Sequence, residues 1–127
     1  MANVSTGSAK YEGFGKDGKG HVSTGSGALD NQPYGFKTRF EDEPGTNPEE
    51  LIAAAHASCF TMALSFQLAG KGHSDGTIET TCAVTLEKDG DGFKVSKSAL
   101  SVKGGGDGLD KATFEECAKT AKENCPL

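Results

Sequence analysis

The chain has 127 residues, 35% of them hydrophobic and 24% charged, with a formal net charge of −5. That is the size and make-up of one globular domain with a modest core, which oligomerisation would help to complete. The acidic balance and the lack of a basic block argue against nucleic acid or an anionic membrane as the main partner.

The N-terminus, Met1-Ala2-Asn3-Val4-Ser5-Thr6, carries no cationic and apolar signal, so export is not expected. No apolar run is long enough to span a bilayer. Four cysteines without a secretory signal place the chain in a reducing compartment, the cytoplasm. Thiol pairs there are more often catalytic or metal-binding than structural.

Tyr11-Glu12-Gly13-Phe14 and His21-Val22-Ser23-Thr24 flank a glycine-rich turn and predict a hairpin. Phe36-Lys37-Thr38-Arg39-Phe40 alternates apolar and polar residues and predicts a further strand, followed by an acidic loop from Glu41 to Gly45. A helix start follows. Asn47 is a good N-cap, Pro48 suits the first helical position, and Glu50 stands three residues after the cap, as a capping box requires. The helix is expected to run to about Ala69, where Gly70 and Gly72 stop it. It is apolar on every face, which predicts burial on every face, by sheet on one side and a second subunit on another.

Ile78, Thr80, Cys82, Val84 and Leu86 share one face of a period-two strand. A turn at Lys88–Gly92 and a return strand from Phe93 to Val102 make a hairpin. Lys103 to Gly108 reads as a glycine-rich loop. A second helix runs from an Asp110 cap to about Asn124, with Phe114, Cys117, Ala118 and Ala121 as its apolar stripe. The order of elements gives an α+β class with a mainly antiparallel sheet.

Cys59 and Cys125 carry the chemistry. Cys59 lies in the middle of the long apolar helix, where packing alone calls for no thiol, and Cys125 lies just before Pro126 at the end of the second helix. Either could be a small buried hydrophobe or a loose terminal thiol; together they point to two-cysteine redox chemistry. A reactive thiol must be held as thiolate. Cys59 is too far into its helix for the N-terminal dipole, so a cation has to come from elsewhere. Arg39, the only arginine, could supply it, or could form a surface ion pair with Glu41 or Asp42. Glu50 is accounted for by the cap, but Glu49 is not. Glu49 lies ten residues before Cys59, about 15 Å along a straight helix, so any action on a cysteine site is expected on the partner subunit's.

Cys82 and Cys117 fall on inward faces and read as core. No C-x-x-C is present, and no metal site is expected. His56 and Cys59 are spaced i, i+3, as a base and its thiol or as half a metal site, but a polar edge of the buried helix explains His56 equally well. The glycine-rich run at 104–108 lacks the Gly-Lys-Ser/Thr of a phosphate loop.

The stretch Asn47-Pro48-Glu49-Glu50-Leu51-Ile52-Ala53-Ala54-Ala55-His56-Ala57-Ser58-Cys59-Phe60 closely resembles the central helix of the OsmC/Ohr thiol peroxidases. Val22-Ser23-Thr24, Gln32 to Phe36, Thr38-Arg39-Phe40 and Gly45-Thr46 are similar to the OsmC branch. Ala121-Lys122 through Cys125-Pro126 resembles the segment that carries the second cysteine. The resemblance implies an intertwined homodimer, its sheets wrapped around paired central helices. It implies Cys59 as peroxidatic thiol, Cys125 as resolving thiol, and Arg39 with Glu49 as the pair that organises the site across the dimer interface. Organic hydroperoxides are the implied substrates, dithiols such as lipoyl groups the implied reductants, and oxidative and osmotic stress the implied setting. No metal or organic cofactor is implied. The Ohr branch lacks a histidine at the position of His56. The family continues past its Cys-Pro-hydrophobic segment into a final strand, whereas this sequence stops at Leu127.

The resulting expectation is a cytoplasmic peroxidase for organic hydroperoxides, less effective on hydrogen peroxide. The competing expectations are a cysteine hydrolase using His56 and Cys59, and a non-enzymatic small-ligand binding module in which all four thiols only pack.

Overall fold

The computed structural model describes residues 3–106 and 108–127. They form two compact units that meet in sequence between Leu51 and Ile52.

In the first unit, strands β1 (Gly7–Glu12), β2 (Lys19–Thr24) and β3 (Gln32–Tyr34) form an antiparallel sheet in the order β1-β2-β3. The hairpin expected from the glycine-rich turn is therefore present, pairing Tyr11 with Gly20 and Gly7 with Thr24. Its turn is tied by the Tyr11 hydroxyl, which donates to the Gly15 carbonyl at 2.8 Å.

Phe36–Phe40 is not a strand but a short helix, α1. Aromatic residues at i and i+4 satisfy a period-two strand and one turn of helix equally well. Local hydrogen bonding decides between them. The Thr38 hydroxyl accepts from the Gly35 N–H at 2.8 Å and caps the turn, and the Arg39 N–H donates to the Gly35 carbonyl at 3.1 Å. The Phe36 and Phe40 rings then pack with centroids 5.0 Å apart.

Helix α2 (Pro48–Gly70) begins as expected. The Asn47 side chain accepts from the Glu50 N–H at 2.8 Å. The other half of the capping box is replaced, because the Glu50 carboxylate accepts from the Thr46 hydroxyl at 2.7 Å.

In the second unit, β4 (Thr77–Asp89) and β5 (Gly92–Gly105) form a long antiparallel hairpin around a two-residue turn, with Gly90 at φ 62. The strand extends through Lys103–Gly105, where the glycine-rich sequence predicts a loop; within that expected loop, Lys103 to Gly108, Asp107 lies outside the described residues. A bulge at Thr85/Leu86 shifts the register by one residue, from Leu86 opposite Val95 to Thr85 opposite Lys97. Such a shift carries every later β5 side chain to the opposite face. Helix α3 (Lys111–Asn124) is capped by Asp110, whose carboxylate accepts from the Thr113 N–H at 2.7 Å.

The core of this unit is one face of α2 (Phe60, Leu64, Leu68) against Cys117 and Ala121 of α3, with Ile78 of β4 and Leu100 and Val102 of β5 packed beside them. Within one chain, then, α2 is buried on one face and not on all. Ile52, Met62 and Phe66 remain 45%, 62% and 70% exposed. At 23 residues α2 is also long and apolar enough, by length and composition alone, to cross a bilayer. The sequence reading missed this because His56, Ser58 and Gln67 interrupt the apolar run without adding charge.

Candidate active site

Cys59 and Cys125 are 66 positions apart in sequence, yet their sulfurs lie 3.1 Å apart, the Cys125 thiol donating to Cys59. Each element contributes for a local reason. Cys59 sits one residue before Phe60, on the edge of the buried stripe of α2. Cys125 is the C-cap of α3, its N–H donating to the Ala121 carbonyl at 2.9 Å. Its own backbone is extended, as the following Pro126 requires. Both thiols are free and half-buried. Two thiols at this distance need only a small adjustment to form a disulfide.

The Cys59 thiol is pushed above its ordinary pKa. Its hydrogen bond with Cys125 is the largest cause, followed by partial removal from water and the Cys125 charge; a backbone hydrogen bond at Leu127 works the other way. These surroundings favour the neutral thiol of Cys59 over its thiolate.

In the first unit, Arg39 of α1 and Glu49 in the first turn of α2 form a forked ion pair. Arg39 Nη2 and Nε lie 2.5 and 2.9 Å from Glu49 Oε1, and Nε lies 3.2 Å from Oε2. Among the described residues Glu49 is the one buried charged side chain, 9% exposed. The surface pair of Arg39 with Glu41 or Asp42 is replaced by this half-buried one. Pairing a carboxylate so thoroughly immobilises the guanidinium and leaves its remaining donors for another anion.

Cys117 is a core residue, 2% exposed, as its place on the α3 stripe implies. Cys82 faces inward as expected but is not simple packing. Its sulfur lies 3.1 Å from Ser98 Oγ and 3.7 Å from His56 Nδ1, and Ser98 Oγ lies 2.6 Å from the same ring nitrogen. Ser98 gave no signal in sequence. Counting back from the Gly90-Asp91 turn without the bulge puts it on the face opposite Cys82. The bulge brings it to the same face, diagonal to Cys82. Among the described residues, no cluster of three or more His, Cys, Asp or Glu could hold a metal ion.

Residues 40–127 match the family model described as OsmC-like protein. The chain is 52% identical over 121 residues to Peroxiredoxin OsmC of Escherichia coli K12, covering 95% of this chain and 85% of the relative. It is 30% identical over 109 residues to the organic hydroperoxide resistance protein OhrB of Bacillus subtilis, covering 84% and 77%. The crystal structure of that OhrB superposes with a TM-score of 0.71 over 95% of this chain and 86% of the other. An organic hydroperoxide resistance protein from Elizabethkingia anophelis, 23% identical, shares the fold with a TM-score of 0.76 over 99% and 87%. The antiparallel sheets and the long central helix are thus features of a known line of proteins, and the chain belongs to the OsmC-like family.

Proposed function

We propose that the protein is a thiol-dependent peroxidase that reduces organic hydroperoxides, and hydrogen peroxide less well, with Cys59 as peroxidatic and Cys125 as resolving thiol. The observation that carries this reading is the 3.1 Å approach of two sulfurs from distant parts of the chain. The names of the relatives, a peroxiredoxin and organic hydroperoxide resistance proteins, support it.

The Cys59 thiolate attacks one peroxide oxygen, the O–O bond breaks, an alcohol leaves and a sulfenic acid remains. The Cys125 thiol condenses with it, releasing water and forming the disulfide. An external dithiol, such as a lipoyl group, then exchanges with the disulfide and restores both thiols. The chemistry requires no metal or organic cofactor.

Arg39, held by Glu49, stabilises the Cys59 thiolate and the developing alkoxide. The pair acts across the interface of a homodimer, whose formation covers the exposed Ile52, Met62 and Phe66 of α2. Work with reduced thiols suits the cytoplasm.

The cysteine hydrolase reading has less support, because the Cys59 sulfur is hydrogen-bonded to the Cys125 thiol rather than to the His56 ring. A binding module with inert thiols gives no role to two sulfurs in contact.

Intact mass after one equivalent of cumene hydroperoxide tests the reading. Loss of two hydrogens per chain, mapped to a Cys59–Cys125 peptide, is expected. Unchanged mass, or a disulfide involving Cys82 or Cys117 instead, would overturn it.

A further inference from the structure

Three side chains from three elements meet beside the cysteine pair with no part yet in its chemistry: His56 of α2, Cys82 of β4 and Ser98 of β5. Ser98 Oγ stands 2.6 Å from His56 Nδ1 and 3.1 Å from Cys82 Sγ. His56 and Ser98 open onto a cavity of about 570 Å³ whose wall includes Phe60, Leu100, Lys122 and Cys125. Cys125 is in contact with Cys59, and Cys59 follows His56 by three residues on the same helical face. The imidazole therefore lies one helical turn from the attacking sulfur and in the wall of the cavity that the resolving sulfur also lines.

The reaction has a need that no group so far meets. Breaking the O–O bond of an alkyl hydroperoxide leaves an alkoxide, a strong base that must be protonated to depart. A guanidinium stabilises that charge but does not give up its proton. A lysine ammonium, with a reference pKa of about 10.4, is a poor proton donor at neutral pH. An imidazole transfers protons near neutral pH. The ring's hydrogen bonds to Ser98 and Cys82 both run through Nδ1, which restrains its orientation, and Nε2 takes part in neither of them. The titratable groups around it are Cys82 from β4, Lys119, Lys122 and Cys125 from the α3 side, and Cys59 from its own helix.

We propose that His56 is the proton donor to the leaving oxygen, with Ser98 as the residue that positions its ring. This deepens the peroxidase reading and rests on it. As the Cys59 sulfur bonds to one peroxide oxygen, the O–O bond breaks and the alkoxide takes the proton on His56 Nε2. The proton that Cys59 released on becoming a thiolate reloads the ring. One thiol and one hydroperoxide thereby become one sulfenic acid and one alcohol. The upward shift of the Cys59 thiol is consistent with that sulfur having a proton to hand on.

Leaving-group dependence is the test. Cumene hydroperoxide expels an alkoxide, whereas peracetic acid expels acetate, which departs without protonation. In His56→Gln the rate of Cys59 oxidation by cumene hydroperoxide should fall by roughly 10²-fold, while oxidation by peracetic acid stays near wild type. Ser98→Ala keeps the imidazole but frees the ring, and should show the same selective loss, smaller in size. It also serves if His56→Gln does not fold. Equal slowing with both oxidants would mark a structural role and overturn the proposal. So would unchanged rates, which would pass the proton donation to another group such as Cys125. A wild-type protein oxidised by neither compound would overturn the peroxidase reading itself, a result separate from either of these.

Discussion

Cys59 is subject to opposing demands. In the proposed scheme, contact with Cys125 prepares the disulfide, while the same contact raises the Cys59 pKa. Cys125→Ala removes the hydrogen bond and the neighbouring charge, so the midpoint of Cys59 alkylation against pH should move down towards the ordinary cysteine value. Arg39→Ala should move it up, since the guanidinium favours the charged sulfur. Mass-spectrometric alkylation profiles would measure both shifts, and a midpoint indifferent to Arg39 would restrict that residue to substrate positioning. Arg39→Lys keeps the charge but loses the fork that grips Glu49 through Nε and Nη2. Peroxide consumption by Arg39→Lys should fall roughly tenfold, the equivalent of one unit of thiol pKa. Cys125→Ser should allow one oxidation per chain and then stop, with Cys59 labelled by a sulfenic-acid probe. An unlabelled Cys59 in protein that has consumed peroxide would remove the two-cysteine scheme.

The two long helices are capped by different chemistry, and this separates their responses to acid. Asn47 caps α2 with a neutral amide, and its replacement by alanine should cost about 1 kcal/mol by a similar amount at all pH values where the fold survives. Asp110 caps α3 with a carboxylate whose pKa is lowered, chiefly by its hydrogen bonds from Thr113 and secondarily by the charge of His73. A depressed pKa contributes stability that is fully present above the unfolded-state value and is lost as pH falls through the folded-state value. The Tm difference between wild type and Asp110→Ala should therefore be largest near neutrality and vanish in acid, whereas the Asn47→Ala difference persists. Thermal melts from pH 7 to pH 3 would show it. A pH-independent Asp110→Ala penalty would mean that the carboxylate charge plays no part in the cap.

At the scale of the molecule, Arg39 and Glu49 bind each other within one chain, so they act as one unit. If that unit serves the Cys59 of the partner in a homodimer, subunit mixing has a defined pattern. Inactive Cys59→Ser chains mixed with inactive Glu49→Ala chains should regain activity, because one site per heterodimer then has an intact cysteine facing an intact pair. Arg39→Ala mixed with Glu49→Ala should not, because every pair in that heterodimer is broken. No recovery in the first mixture, after verified exchange, would assign the pair to the cysteine of its own chain. The exposed Met62 and Phe66 on α2 supply the apolar surface for such an interface, and a stable, active monomer at low concentration would reject it.

Local signals were enough for much of the fold and for the identity of the candidate cysteines. Caps at Asn47 and Asp110, the alternation from Ile78 to Leu86 and the glycine-rich turns each depend on neighbours within a few residues, and these are legible in sequence. Cys59 stood out because packing does not call for it, and Cys125 because proline follows it. Tertiary structure alone decided the rest, because those outcomes depend on partners far apart in the chain or on choices between near-equal local states. Phe36–Phe40 fits strand or helix until Thr38 caps the turn. Ser98 reaches Cys82 and His56 because one bulged residue reverses the β5 faces. Arg39 exchanges its neighbours in sequence for Glu49, and the two sulfurs meet because α3 packs on the Phe60–Leu64–Leu68 face of α2. No periodicity encodes a contact made by packing two helices against one hairpin.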